Sequence, residues 1–245
     1  MPRYILLHHT SSTNSYLSRM AAMLPEGTVI HTHHQSEGRG QRGNSWESEP
    51  GRNITFSMLL KRPNVPVAAQ FAISEAVAVA IVDTLSSYAD GFSIKWPNDI
   101  YHGDKKVAGI LIEHSVMGAS INHSIIGVGI NVNQTVFVSD APNPISLAQI
   151  IGHEIPLDTI LHQVCEAIEQ QCRFQSFTHD SFHSLHQRFL SLLYRRDGAL
   201  HNFLLPNGHT FRASIADVEP CGLLVLQSPD GSLSKFAFKE VAFVI

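Results

Sequence analysis

The sequence predicts an α+β fold: a large body mixing strands and helices, followed by a small antiparallel β tail. Three observations carry this. Segments with a period of two, such as Ile54, Phe56 and Met58, are interleaved with segments of helical period, such as Ile160, Leu161, Val164 and Ile168. From Asp197 onward every segment is short and β-rich, and Asn207-Gly208 and Asp230-Gly231 separate two pairs as hairpin turns. With 44% apolar and 16% charged residues, 245 positions suffice for one large core plus an appendage.

Residues 3–8 read as a first strand. Ser11-Ser12-Thr13-Asn14 then offers an N-cap to a helix whose apolar positions are Tyr16, Leu17, Met20, Ala21 and Leu24, ended by Pro25-Glu26-Gly27. Thr28 to Thr32 is a short strand leading through Gln35 into a glycine-rich loop. Asn53 to Leu60 is a strand stopped by Pro63. Val65 to Tyr88 is a long helix with Pro66 in its first turn, apolar nearly all round and therefore buried. Phe92 to Ile100 is strand-like around a polar interruption, Tyr101 to Asp104 turns, and Val107 to Glu113 and Ile121 to Val132 are strands. Two helices follow, Leu157 to Arg173 and Ser181 to Leu193. The change of texture places a boundary near Tyr194, dividing 1–194 from 195–245. The tail segments 199–205, 209–218, 222–228 and 233–244 make a small barrel or meander.

Composition narrows the function. A formal charge of −4 disfavours non-specific nucleic-acid binding. No apolar run approaches the roughly 18 residues of a membrane span, and the stretch before His8 is too short for a signal peptide. Cys165, Cys172 and Cys221 lack metal-type spacing and read as reduced thiols, so a cytoplasmic protein is expected. The fifteen histidines include His31-Thr32-His33-His34, but no acidic or cysteine partner is placed beside them, and no metal site is assigned.

Polar islands punctuate the strand ends. Ser36 to Trp46 carries three glycines, two arginines and a tryptophan and no apolar run, so it cannot be core. Glycine permits close approach to a ligand, arginine suits anionic oxygens, and tryptophan can cover a flat ring. Ser12-Thr13-Asn14, Lys95 to Asp99 and Lys106 stand at other strand ends, and Gly127 to Asn131 interrupts a strand with glycines. Each has a plainer reading: helix capping for Ser12 to Asn14, solvation for Lys106 beside Lys105, packing for Trp96-Pro97.

Taken in order, Gly38-Arg39-Gly40-Gln41-Arg42-Gly43-Asn44-Ser45-Trp46, Lys95-Trp96-Pro97-Asn98-Asp99, Lys106-Val107-Ala108-Gly109-Ile110-Leu111 and Gly127-Val128-Gly129-Ile130-Asn131 resemble the biotin protein ligases. The motifs stand at that family's spacing over residues 1–195, and the tail is similar, less specifically, to its SH3-like domain. The resemblance implies a central mixed β-sheet flanked by helices, of the class II aminoacyl-tRNA-synthetase type. It also implies ATP-dependent activation of biotin to biotinyl-5′-AMP and transfer to a lysine of a biotin carboxyl carrier protein. ATP with Mg²⁺ is the cosubstrate, and no permanently bound cofactor is expected.

Under that resemblance Lys106 and Arg39 are the catalytic residues. Biotin contacts fall to Ser12, Thr13, Asn14, Gln35, Gly38, Arg39, Gly40, Gln41, Lys106, Gly109 and Gly127. ATP and the adenylate fall to Arg39, Gln41, Arg42, Trp46, Asn98, Asp99, Lys106 and Asn131, with Trp46 on the adenine face, Asn131 at its edge and Asp99 near Mg²⁺. Gln41 and Asn44 are uncharged where several members carry arginine, so Arg42 or a residue outside the loop is expected to compensate. The motifs begin within the first fifteen residues, leaving no room ahead of them for the DNA-binding module of some bacterial members, and no operator binding is expected. A lipoate–protein ligase of the same fold and a non-catalytic biotin-sensing or carrier-docking module remain the alternatives, and the chain could be monomer or homodimer.

Overall fold

The computed structural model describes residues 3–139, 143–173 and 178–244, the side chains of Arg42 and His179 excepted. Strands β1 (Arg3–Thr10), β2 (Thr28–Gln35), β3 (Ile54–Lys61), β4 (Phe92–Lys95), β5 (Asp99–His102), β6 (Lys105–Met117) and β7 (Ser120–Ile130) form one sheet in the order β1-β2-β3-β7-β6-β5-β4. β1 and β2 are parallel and the other neighbours antiparallel, so the sheet is mixed. A parallel pair needs a crossover. Helix α1 (Thr13–Met20) provides it, with Ser12 as N-cap accepting from the Ser15 amide.

Alternation along the strands divides their side chains between two cores. Ile30, Leu59 and Ile125 pack with Leu17 of α1 and with Ala21, its C-cap. Their neighbours Val29, Met58 and Ile126 pack on the opposite face with α2 (Phe71–Leu85), α4 (Leu157–Gln171) and α5 (His179–Ser191). Helix α2 is preceded by a 3₁₀ turn at Val67–Ala69, so the predicted long helix is interrupted near its start. Val67–Leu85 has the length and apolarity of a membrane span, contrary to the sequence expectation. Here Ile73, Val77, Ile81 and Leu85 are wholly buried against the sheet and the other helices. Helix α3 (Leu147–Ile151), unforeseen in the sequence, starts at a capping box made by Ser146 and Gln149 and ends at Gly152.

Strands β8 (His201–Leu204), β9 (Thr210–Val218), β10 (Leu224–Gln227), β11 (Leu233–Phe236) and β12 (Ala242–Phe243) form a second, antiparallel sheet, ordered β11-β10-β9-β8-β12. The return of β12 to β8 curls this meander toward a barrel, consistent with an SH3-like unit. The apolar cluster holding Ile94 and Trp96 continues into Phe203, Ile215 and Leu224 of the tail. Trp96 Nε1 donates to the Gly222 carbonyl at 3.0 Å. The packing reading of Trp96, in a cis Trp96–Pro97 unit, is therefore right.

Candidate active site

The strand register builds a small-residue floor on the α1 side of the sheet. Thr55 of β3 faces Gly129 of β7, which faces Gly109 of β6, which faces Asp99 of β5. One step along, Ser57 faces Gly127 and Gly127 faces Leu111. Missing side chains on neighbouring strands leave a trough, a cavity of about 270 Å³. The glycines are needed for what lies on them. A Cβ on Gly127 would sit 2.2 Å from Asn14 Oδ1, and one on Gly129 would sit 2.3 Å from Trp46 Cε2.

At one end of the trough the polar groups of α1 form a network. Gln35 Oε1 accepts from the Thr13 amide at 2.9 Å and from Thr13 Oγ1 at 3.3 Å. Ser57 Oγ lies 2.8 Å from Thr13 Oγ1 and 2.5 Å from Asn14 Oδ1. Ser12 is thus both a helix cap and a cavity-lining residue, so the two readings of its hydroxyl coexist.

The cations stand at the other end. β5 and β6 slip register between Ile100 and Tyr101, so that Tyr101 faces Lys106 while Ile100 faces Ala108. An unslipped strand would turn Lys106 away from Gly109; the bulge re-aims it onto the cavity face. Its Nζ lies 2.6 Å from Asp99 Oδ1 and 5.7 Å from the Trp46 ring centroid, whereas Lys105 is exposed. Adjacent lysines that spacing could not tell apart are separated by this irregularity. Asn98 Nδ2 donates to the Ile110 carbonyl at 2.7 Å, so its amide braces the β6 backbone. Lys95 also lines the cavity, donating to Tyr101 Oη at 3.0 Å; burial holds its ammonium below the ordinary lysine pKa.

The glycine-rich loop folds back on itself. Trp46 N donates to the Gly38 carbonyl, Gly40 N to the Asn44 carbonyl, and Arg39 bridges Ser45 across a 3₁₀ turn at Gln41–Gly43. Arg39, Gly40, Gln41, Asn44 and Trp46 line the cavity. Arg39 Nη2 is paired with Glu113 Oε2 at 3.1 Å. Trp46 Nε1 is buried and, among the described residues, has no hydrogen-bond partner.

Two expected contacts are not brought to the cavity. Asn131 is 3% exposed, and its Nδ2 faces the Lys106 and Ile145 carbonyls at 3.4 and 3.3 Å, so its donor is committed to backbone. Gly38 lies beneath the loop, where a Cβ would meet the Trp46 carbonyl oxygen at 2.4 Å. The Arg42 side chain lies outside the described residues. Conversely, Glu113 and the tail residues Phe238, Lys239 and Phe243 were not anticipated, and Lys95 was marked only as part of a motif, with no role assigned. Phe238 and Phe243 meet Trp96 and Lys95, both in the recognised Lys95 to Asp99 motif, but sequence alone does not say which tail strand approaches that motif. Of the histidines, His33 lies beside His8 and His34 beside His9, as pairs. Among the described residues no three His, Cys, Asp or Glu side chains are grouped to hold a metal.

Residues 6–131 match the Biotin/lipoate A/B protein ligase family. The chain belongs to this family. Similar relatives include the bifunctional ligase/repressor BirA of Bacillus subtilis, 32% identical over 181 residues that cover 71% of this chain and 55% of that protein. The biotin–[acetyl-CoA-carboxylase] ligase of Paracoccus denitrificans is 35% identical over 113 residues, 45% of this chain and 46% of that one. The chain spans about half, or less, of the curated relatives it matches. Among solved structures, the Aquifex aeolicus biotin protein ligase in complex with biotin and ATP superposes with a TM-score of 0.80 at 23% identity, covering 99% of this chain and 98% of that one. The Leishmania major ligase in complex with biotinyl-5-AMP gives 0.67 at 19%, covering 97% and 99%. In the terms of this biotin/lipoate ligase fold, the trough lies on the α1 face of the sheet and the second sheet closes one side of it.

Proposed function

We propose that this biotin/lipoate ligase family member activates biotin with ATP and passes it to a lysine of a biotin carboxyl carrier domain. The observation that carries the reading is the polarity of the trough. A neutral hydrogen-bonding end, formed by Ser12, Thr13, Asn14 and Gln35, is separated by glycines from a cationic end at Lys106. That suits a molecule with a neutral cyclic urea at one end and a carboxylate at the other.

In the first step a biotin carboxylate oxygen attacks the α-phosphorus of ATP and the bond to pyrophosphate breaks. Two anions approach, so a fixed cation must offset their repulsion and the charge that develops. Lys106 is the proposed group, held at the reacting end by Asp99. Arg39 and Lys95 add positive charge on two further sides, and Lys239 of the tail lines the same cavity, outside the loop that lacks cations at Gln41 and Asn44. Mg²⁺, brought by the triphosphate, prefers oxygen ligands, and Asp99 supplies a carboxylate at this end. Trp46 supports the adenine. In the second step the carrier's lysine amine attacks the acyl carbonyl, the bond to AMP breaks, and the amine's proton is lost to solvent. A mixed anhydride hydrolyses readily, so the Gly38 to Trp46 loop serves to exclude water.

The proposal is tested by incubating the protein with biotin, ATP, Mg²⁺ and a purified carrier domain and reading the carrier by mass spectrometry. One biotinyl group on one lysine is expected. An unmodified carrier, or one that takes up lipoate instead when both acids are supplied, would refute the assignment.

A further inference from the structure

Glu113 lies beside the cavity, yet one of its carboxylate oxygens joins two of its walls. Oε2 accepts from Asn14 Nδ2 at 2.8 Å and from Arg39 Nη2 at 3.1 Å. On the first side it continues the buried network of Ser57, Thr13 and Gln35. On the second it ends on the arginine of the loop. Glu113 follows Gly109 and Leu111 on the same face of β6, so the strand period points its side chain to the cavity side.

A carboxylate beside a site for anions raises the cost of binding them unless a cation neutralises it. Here the neutralising cation is Arg39, which the same contact fixes in place. The pair's side chains are 46% and 40% exposed, so its worth is modest and the contact can be exchanged when ligand arrives. We propose that Glu113 is a positioning residue: it holds Arg39 beside the cavity and ties the loop to the Asn14 network that meets biotin. The inference rests on the reaction proposed above for the retention it implies, and on geometry alone for the position of Arg39.

Two variants separate the contacts. Glu113→Gln keeps an acceptor for Asn14 and removes the charge that pairs Arg39; Glu113→Ala removes both. Trypsin cleavage after Arg39 in the ligand-free protein reads the pairing directly, because the arginine must leave its partner to enter the protease. Glu113→Gln should speed that cleavage about threefold to fivefold, within the range of an exposed ion pair. Glu154→Gln, which frees Arg52 from a comparable pair, should leave it unchanged. With biotin and ATP, Glu113→Gln should release free biotinyl-AMP several times faster than wild type while the biotin KM stays within about twofold. Glu113→Ala should also raise the biotin KM, roughly tenfold. Wild-type cleavage in Glu113→Gln would overturn the proposal, as would faster cleavage with unchanged adenylate release. If wild type forms no biotin-dependent adenylate, the reaction reading fails, and the cleavage rates still decide the position of Arg39.

Discussion

The indole of Trp46 lies against Gly129, so close that a single methyl group there would stand 2.3 Å from its Cε2 and 2.6 Å from its Nε1. Gly109, the cross-strand partner of Gly129, meets the same ring. Two facing glycines therefore make the seat of an indole that the loop carries over the cavity. Gly129→Ala should expel the ring without unfolding the sheet, since alanine is tolerated in a strand at a cost of about 1 kcal/mol or less. Tryptophan emission should shift to longer wavelength and the ATP KM should rise, about tenfold or more. Unchanged emission in the variant would contradict the seat.

Lys106 and Asp99 form the tightest charged contact of the site. Lys106→Ala should lower adenylate formation by a factor on the order of 10²–10³, the loss seen when one preorganised charge-stabilising group is removed. It should change stability by no more than about 1 kcal/mol, because the side chain is part exposed and packs no core. Parallel rate and denaturant measurements check both.

The Gln35 side-chain oxygen Oε1 holds the start of α1 through Thr13, and both residues line the biotin end proposed for the trough. Gln35→Ala should raise the biotin KM roughly tenfold while the ATP KM stays near wild type. An equal rise in both would argue that the residue maintains the whole cavity instead.

His186 of α5 joins body and tail. Its Nδ1 lies 2.8 Å from Glu75 of α2, and its Nε2 lies 2.9 Å from Asp217 of β9. The hydrogen bond that His186 donates to the Glu75 carboxylate raises the histidine pKa, and burial raises that of Glu75, so the native state holds protons that the unfolded chain has released. A raised histidine stabilises fully below its ordinary value, about 6.5, and that stability is lost as pH climbs through the folded value. The raised carboxyl acts in the same direction. Unfolding free energy should therefore fall as pH rises from about 6.5 through the folded-state value of the histidine. His186→Ala should cost roughly 2–4 kcal/mol near neutral pH, because Glu75 is left buried without its partner, and the pH dependence that remains should be that of the Glu75 carboxyl alone. Urea titrations at several pH values read both quantities.

The parts of the site that sequence could disclose are those whose residue types are themselves unusual. Gly38 to Trp46, Lys95 to Asp99 and Gly127 to Asn131 interrupt apolar strands, and the structure brings most of them round one trough. What stayed hidden depends on register. The slip that turns Lys106 onto the cavity face adds no residue type to the sequence, and Glu113 reads as an ordinary strand carboxylate until Arg39 is seen beside it. Asn131 carries the chemistry to read a base, but burial turned its amide to backbone carbonyls. The tail's first three strands were legible from their segments and glycine turns, but the segment 233–244 is two strands, Leu233–Phe236 and Ala242–Phe243, that pair with different neighbours. That Phe238 and Phe243 wall the cavity was not legible, since the contacts span more than a hundred residues.

The central claim is that the trough activates biotin, and ATP–pyrophosphate exchange tests it most directly because it needs no carrier. Purified protein with ATP, Mg²⁺ and labelled pyrophosphate should exchange label into ATP when biotin is present and fall to background with lipoate or with neither acid. Exchange supported by lipoate alone, or by no acid at all, would contradict the account.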